Sequence, residues 1–135
     1  MTHRATGPFD VKVIPQNPDN EVAEAAGLSR MSLDKQFHGD LEATSKGEML
    51  TAMSPVKGSA GYVAIERVTG TLAGRSGSFV LQHSSTMARG EPRQNIIVVP
   101  DSGTGELVGL SGSMTVIIAP GGAHSYEFDY AVPES

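Results

Sequence analysis

Along residues 124–130, His124, Tyr126, Phe128 and Tyr130 alternate with Ser125, Glu127 and Asp129. Successive side chains leave a β-strand on opposite faces, so a two-residue period separates an aromatic face from a charged one. The same period runs through 78–87. There Phe79, Leu81, His83, Ser85 and Met87 share one face, and Ser78, Val80, Gln82, Ser84 and Thr86 the other. Further strand-like runs occupy 9–15, 31–37, 41–53, 62–72, 95–99 and 114–119. Turn-forming residues separate them: Pro18-Asp19-Asn20, Gly39-Asp40, Ser54-Pro55 with Lys57-Gly58, Gly74-Arg75-Ser76-Gly77, Arg89-Gly90-Glu91-Pro92, Pro100-Asp101-Ser102-Gly103 and Pro120-Gly121-Gly122. Each supplies a positive or preset φ. Strands joined this way predict an all-β fold, an eight-stranded antiparallel up-and-down β-barrel. Closure removes the sheet edges that would otherwise template aggregation. The one helix candidate is 20–26, capped by Asn20 and ended by Gly27.

At 135 residues the chain is read as a single domain, 1–135, with its core over about 7–132. A domain of this size buries roughly two-thirds of its unfolded surface, enough for a core without cross-links. There is no cysteine, which excludes disulfides, thiolate catalysis and cysteine-ligated zinc. A net charge of −5 with ten scattered basic residues argues against a nucleic-acid partner. No run of about 18 apolar residues offers a membrane span. The polar start Met1-Thr2-His3-Arg4 lacks the apolar segment of a secretory signal, so a cytoplasmic location is expected.

The segment from Ser102 to Met114 carries Gly103, Gly105, Gly109 and Gly112. A phosphate loop needs Gly-Lys followed by Ser or Thr, and no lysine follows. A dinucleotide loop needs a helix next, whereas 114–119 is β-branched and apolar. Glycines here read instead as bends and close approaches at barrel corners. The run Ser102-Gly103-Thr104-Gly105-Glu106-Leu107-Val108-Gly109-Leu110-Ser111-Gly112 resembles a segment of allene oxide cyclases and plant dirigent proteins. More closely, the chain resembles an uncharacterised bacterial family with an allene oxide cyclase-like barrel. The pieces that carry this are Phe37-His38-Gly39-Asp40-Leu41, Gly47-Glu48-Met49-Leu50, Gly70-Thr71-Leu72-Ala73-Gly74, Val80-Leu81-Gln82-His83 and His124-Ser125-Tyr126. The resemblance implies the barrel and a side-by-side oligomer, and it brings no activity. The cyclase catalytic pattern has no counterpart at Asp10-Val11-Lys12-Val13 or Arg30-Met31-Ser32-Leu33.

With the apolar parity turned inward, Lys35 lies with Met31, Leu33 and Phe37, His83 with Phe79 and Leu81, and His124 with Tyr126, Phe128 and Tyr130. Tyr62 and Glu66 share a face of 62–72. The opposite face, with Val63 and Ile65, is the more apolar, so the direction of Glu66 stays open. On one reading Lys35, Glu66, His83 and His124, ringed by Tyr62, Phe79, Tyr126 and Tyr130, line a lumen that takes a ligand. On the other, each ionisable group is satisfied in a filled core, with Lys35 paired to Glu66. His83, at mid-strand, is the residue expected to touch a ligand. No cofactor or metal is expected, since the chain has no His-x-His pair of the cupin kind. The favoured function is binding of a small apolar or aromatic molecule. Its rivals are an isomerase or cyclase-like enzyme in the same lumen and a filled barrel acting as an interaction module. Apolar outward residues Val63, Ile65, Ile97 and Val99 predict a homo-oligomer, dimer or trimer.

Overall fold

The alternating runs pair in the computed structural model, which describes residues 2–17 and 20–133. Among the described residues nine strands form: β1 (His3–Gln16), β2 (Ser29–Phe37), β3 (Leu41–Met53), β4 (Ala60–Leu72), β5 (Arg75–Ala88), β6 (Glu91–Arg93), β7 (Ile96–Val98), β8 (Ser111–Ile118) and β9 (His124–Ala131). A short helix α1 (Glu21–Ala25) follows β1, and Asn20 caps it by accepting the Ala23 N–H at 2.7 Å. All pairings are antiparallel, and β4–β5 together with β1–β9 close the sheet. Strands β6 and β7 pair with β5 in one continuous register, Thr86 opposite Arg93 and His83 opposite Ile96. They act as one interrupted strand, so the barrel has eight staves and the expected up-and-down order. Among the described residues no helix is long and apolar enough to cross a membrane.

Several boundaries differ from expectation for local reasons. Strand β1 begins at His3, six residues before the alternation, because pairing of His3 through Phe9 with β9 closes the barrel. The turn expected at 74–77 tightens to Ala73 and Gly74, with φ of 48° and 84°. That two-residue geometry matches the twist of the flanking strands, and Arg75 already pairs with Leu72.

One end of the barrel is filled. Phe9, Phe37, Leu41, Val68, Leu72, Phe79, Tyr126 and Phe128 are buried there. Leu107 and Leu110 of the glycine-rich segment add to this core, at 1% and 2% exposure. That segment also completes β5, whose edge lies beyond the reach of β7. Ser102 Oγ accepts the Val80 N–H, Thr104 Oγ1 the Ser78 N–H, and a Glu106 carboxylate oxygen the Ser76 N–H. Within the segment Gly103 lies against Leu107 and Gly105 against Ser76, each closer than a Cβ would allow.

Toward the other end, inward-facing positions stay partly or largely exposed. Met31, Met49, Thr51 and Tyr62 are half-buried, while Val13, Met53 and Met87 are exposed. The barrel is thus packed at the hairpin end of β4–β5 and open to solvent at the opposite end.

Candidate functional site

Between the packed and open halves lies a buried polar cluster drawn from four adjacent strands. The inward parity of β2 brings Lys35, that of β3 Ser45, that of β4 Glu66 and that of β5 His83. The direction of Glu66 is decided by the fold: its even-numbered neighbours Ala64 and Val68 are buried, and Val63 and Ile65 face outward. The Glu66 carboxylate accepts from Lys35 Nζ at 2.7 Å and Ser45 Oγ at 2.7 Å, and lies 2.6 Å from His83 Nε2. Lys35 is further held between rings, its Nζ 5.3 Å from the Phe9 centroid and 5.8 Å from that of Phe37.

Gly47 makes this possible. It sits opposite Glu66, and a Cβ built there would fall 2.7 Å from the Glu66 Cβ. Only glycine lets β3 pass so close over that residue.

Burial alone would keep the Glu66 carboxyl neutral. The His83 hydrogen bond, the Lys35 and His83 charges and the Lys35 hydrogen bond outweigh it and bring the pKa down to about 2. Glu66 is therefore ionised at neutral pH. A carboxylate facing Nε2 assigns the imidazole proton to that nitrogen. Nδ1 is left as the acceptor, and it has no hydrogen-bond partner among the described residues. The arrangement holds a histidine by a buried carboxylate with its other nitrogen free. Such a dyad can accept a hydrogen bond or a proton. Lys35 sets one positive charge directly against that of the carboxylate.

One neighbour was not legible as a site residue. Ser85, two positions beyond His83 on the same face, is 6% exposed, and its Oγ has no hydrogen-bond partner. Ser45 was missed for the same reason. Serine alternating with apolar residues is indistinguishable from core filler until its partners are known.

Of the eight residues singled out from sequence, four come together: Lys35, Glu66, His83 and Tyr62, the Tyr62 and His83 rings lying 6.4 Å apart. The other four lie apart from the cluster. Phe79 stacks on Phe128 in the packed half. Tyr130 packs on Phe128 and His3. The Tyr126 hydroxyl donates to His38 O at 2.7 Å and accepts the Leu41 N–H, fastening the β2–β3 turn. His124 is half-buried against Phe9, 5.2 Å between centroids. On the outer wall of β3–β5 runs a groove of about 680 Å³, lined by Glu48, Leu50, Val63, Ile65, Gln82 and Ser84 among others. Among the described residues no three metal-capable side chains converge.

A family model described as "Protein of unknown function (DUF3224)" matches residues 5–130. The chain is also similar to the crystal structure of a protein with unknown function from the DUF3224 family of Shewanella oneidensis MR-1. They share 51% identity and a TM-score of 0.91, with 100% of each chain covered. No curated protein matches the chain.

Proposed function

The chain belongs to the DUF3224 family, proteins of unknown function, and from that premise we propose that the open half of its barrel binds a small, largely apolar molecule above the Lys35–Glu66–His83 cluster. One observation carries the reading. Inward-facing apolar side chains at that end, Met31, Met49 and Met87 among them, stay in contact with solvent while the other half is close-packed. A barrel with no ligand has no reason to keep such a lining wet. Methionine suits the role, because its flexible thioether adapts to irregular apolar shapes.

Thermal-shift screening against small aromatic and alicyclic molecules tests this. A ligand at a hundred times its Kd should add about 2.7 kcal/mol to stability. Thr51→Trp, which fills the open end from β3, should abolish the shift. A library in which nothing raises Tm, or a shift that survives Thr51→Trp, overturns the proposal.

The Glu66–His83 dyad favours a second reading, an isomerase or cyclase-like enzyme that moves a proton in the same lumen. Exchange of a bound ligand's acidic hydrogen with solvent, lost in His83→Phe, would be its signature. The likeness to allene oxide cyclase-like barrels stands as a proposal of the same rank; it accords with the strand number and the glycine-rich plug and brings no residue roles. For the exposed outer face the proposed occupant is a second copy of this chain. Ile65 is flanked there by Glu48 across the ladder and Arg67 along the strand. A face carrying both signs around an apolar centre is complementary to a rotated copy of itself.

A further inference from the structure

We propose that a second copy of this chain caps the open end of the barrel, mouth to mouth, so that each copy closes the other's lumen. This goes beyond ligand binding and concerns a surface separate from the outer wall of β3–β5. The connections at the open end are the α1 segment between β1 and β2, the β3–β4 turn, the β5–β6 turn and the β8–β9 turn. With β6 and β7 counted as one stave, there is one connection to every two staves, so they stand a quarter-turn apart around the mouth. In or beside them Ile14, Val22, Met53, Val56, Met87 and Ile118 are 44–80% exposed. Among the described residues, the turns of the packed end expose one large apolar side chain, Val108.

Around this apolar ring, charge takes opposite signs on opposite sides. Glu21 and Glu24 stand exposed on α1. Half a turn away, the β5–β6 corner carries Arg89 and Arg93 against a single carboxylate, Glu91. Gly90 N donates to Gly58 O and Arg89 N to Ser59 Oγ, both at 2.9 Å, so this corner is fastened to the β3–β4 turn. A two-fold axis lying across the mouth, from the β3–β4 turn to the β8–β9 turn, satisfies the pattern. It sets each α1 against the other copy's β5–β6 corner, acid against base on both sides. It also brings Val56 toward Val56 at one end of the axis and Ile118 toward Ile118 at the other. Lys57, next to Val56, meets its own mate there, and its long stem lets the ammonium turn to water. A lipid surface fits less well, because Glu21, Glu24 and the net charge of −5 oppose an anionic headgroup layer. A second copy complements both signs at once.

The test is a charge exchange, read as mass by light scattering at tens of micromolar. It is made in an Ile65→Asp background, which removes the outer-wall contact, and there the chain should run as a dimer. Glu21→Lys with Glu24→Lys makes both corners basic and should leave single chains. Arg89→Glu with Arg93→Glu makes both corners acidic and should do the same. All four positions are exposed, so the fold should hold, which far-UV circular dichroism checks. Mixed in equal amounts, the two variants should recover the dimer mass, a recovery that damage to either fold would not give. A single-chain mass for Ile65→Asp itself, a dimer that survives either charge reversal, or a mixture that stays monomeric overturns the mouth contact and leaves the lumen reading untouched. Binding of the wild-type chain to vesicles of phosphatidylcholine and phosphatidylglycerol, lost in Val56→Asp, would give the mouth to a lipid surface and overturns it as well.

Discussion

At Glu66 three donors converge on one buried carboxylate, and its stability effect has a defined sign. The folded pKa of about 2 lies below the ordinary 4.5. A depressed pKa contributes stability that is fully present above the unfolded value and is lost as pH falls through the folded one. Urea unfolding from neutral pH down to about pH 2 should therefore show stability falling below about pH 4.5. Glu66→Gln leaves the Lys35 ammonium buried without a counter-charge, which should cost about 3–5 kcal/mol at neutral pH and flatten the acid limb. An acid limb of unchanged steepness in that variant would assign the loss to other carboxylates. His83→Phe removes one of the three donors while Lys35 and Ser45 stay on Glu66, so a smaller cost of about 1–3 kcal/mol is expected.

The stave formed by β6 and β7 is the weak element of the barrel, and side chains supplement its pairing. Where the strand breaks between β6 and β7, the Gln94 amide takes the place of backbone. Its Nε2 donates to Val116 O at 2.8 Å and its Oε1 accepts the Val116 N–H at 2.9 Å. Gln94 falls in the register that pairs Ile96 with Met114, so the side chain continues the β7–β8 ladder by one step. Past that step Pro92 sits in β6, a position tolerable where the strand has a free edge. Gln94→Ala should cost about 0.5–1.5 kcal/mol, since it removes the solvent-accessible hydrogen bonds that hold Val116 on β8. Hydrogen exchange should register the loss at the Val116 amide first. Exchange there as slow as in the wild type would mean that water or backbone replaces the amide without cost.

For the whole molecule, the barrel divides its labour along its axis, with a packed aromatic half and an open methionine-lined half separated by a buried polar layer. Its outer wall is less settled. Leu50, Val63 and Ile65 are 45–56% exposed, side by side across β3 and β4. A contiguous apolar face of this kind is a common mark of association. Light scattering should give a mass that is a multiple of 14.1 kDa, and Ile65→Asp should shift it toward the monomer. A monomer mass for the wild-type chain at tens of micromolar would leave that face without its proposed occupant.

Much of this architecture can be read from the chain alone, because a strand's side chains alternate whatever they pack against. The parity of 78–87 puts His83 with Phe79 and Leu81, and that of 31–37 puts Lys35 with Phe37; both are inward in the fold. The helix cap at Asn20 and most turns are equally local. What the sequence could not decide is anything that depends on a partner distant along the chain. Hydropathy gives Glu66 the less apolar face of β4, and only closure of the barrel, with Lys35 and His83 arriving from β2 and β5, makes burial of that charge tolerable. His3 through Pro8 show no alternation yet form the closing ladder with β9. Tyr126 and Tyr130 alternate as a lumen lining would, but the shear of the barrel carries them into the packed half. Parity fixes which face a residue occupies; its height along the barrel, and so its neighbours, comes from register, which the tertiary structure alone sets.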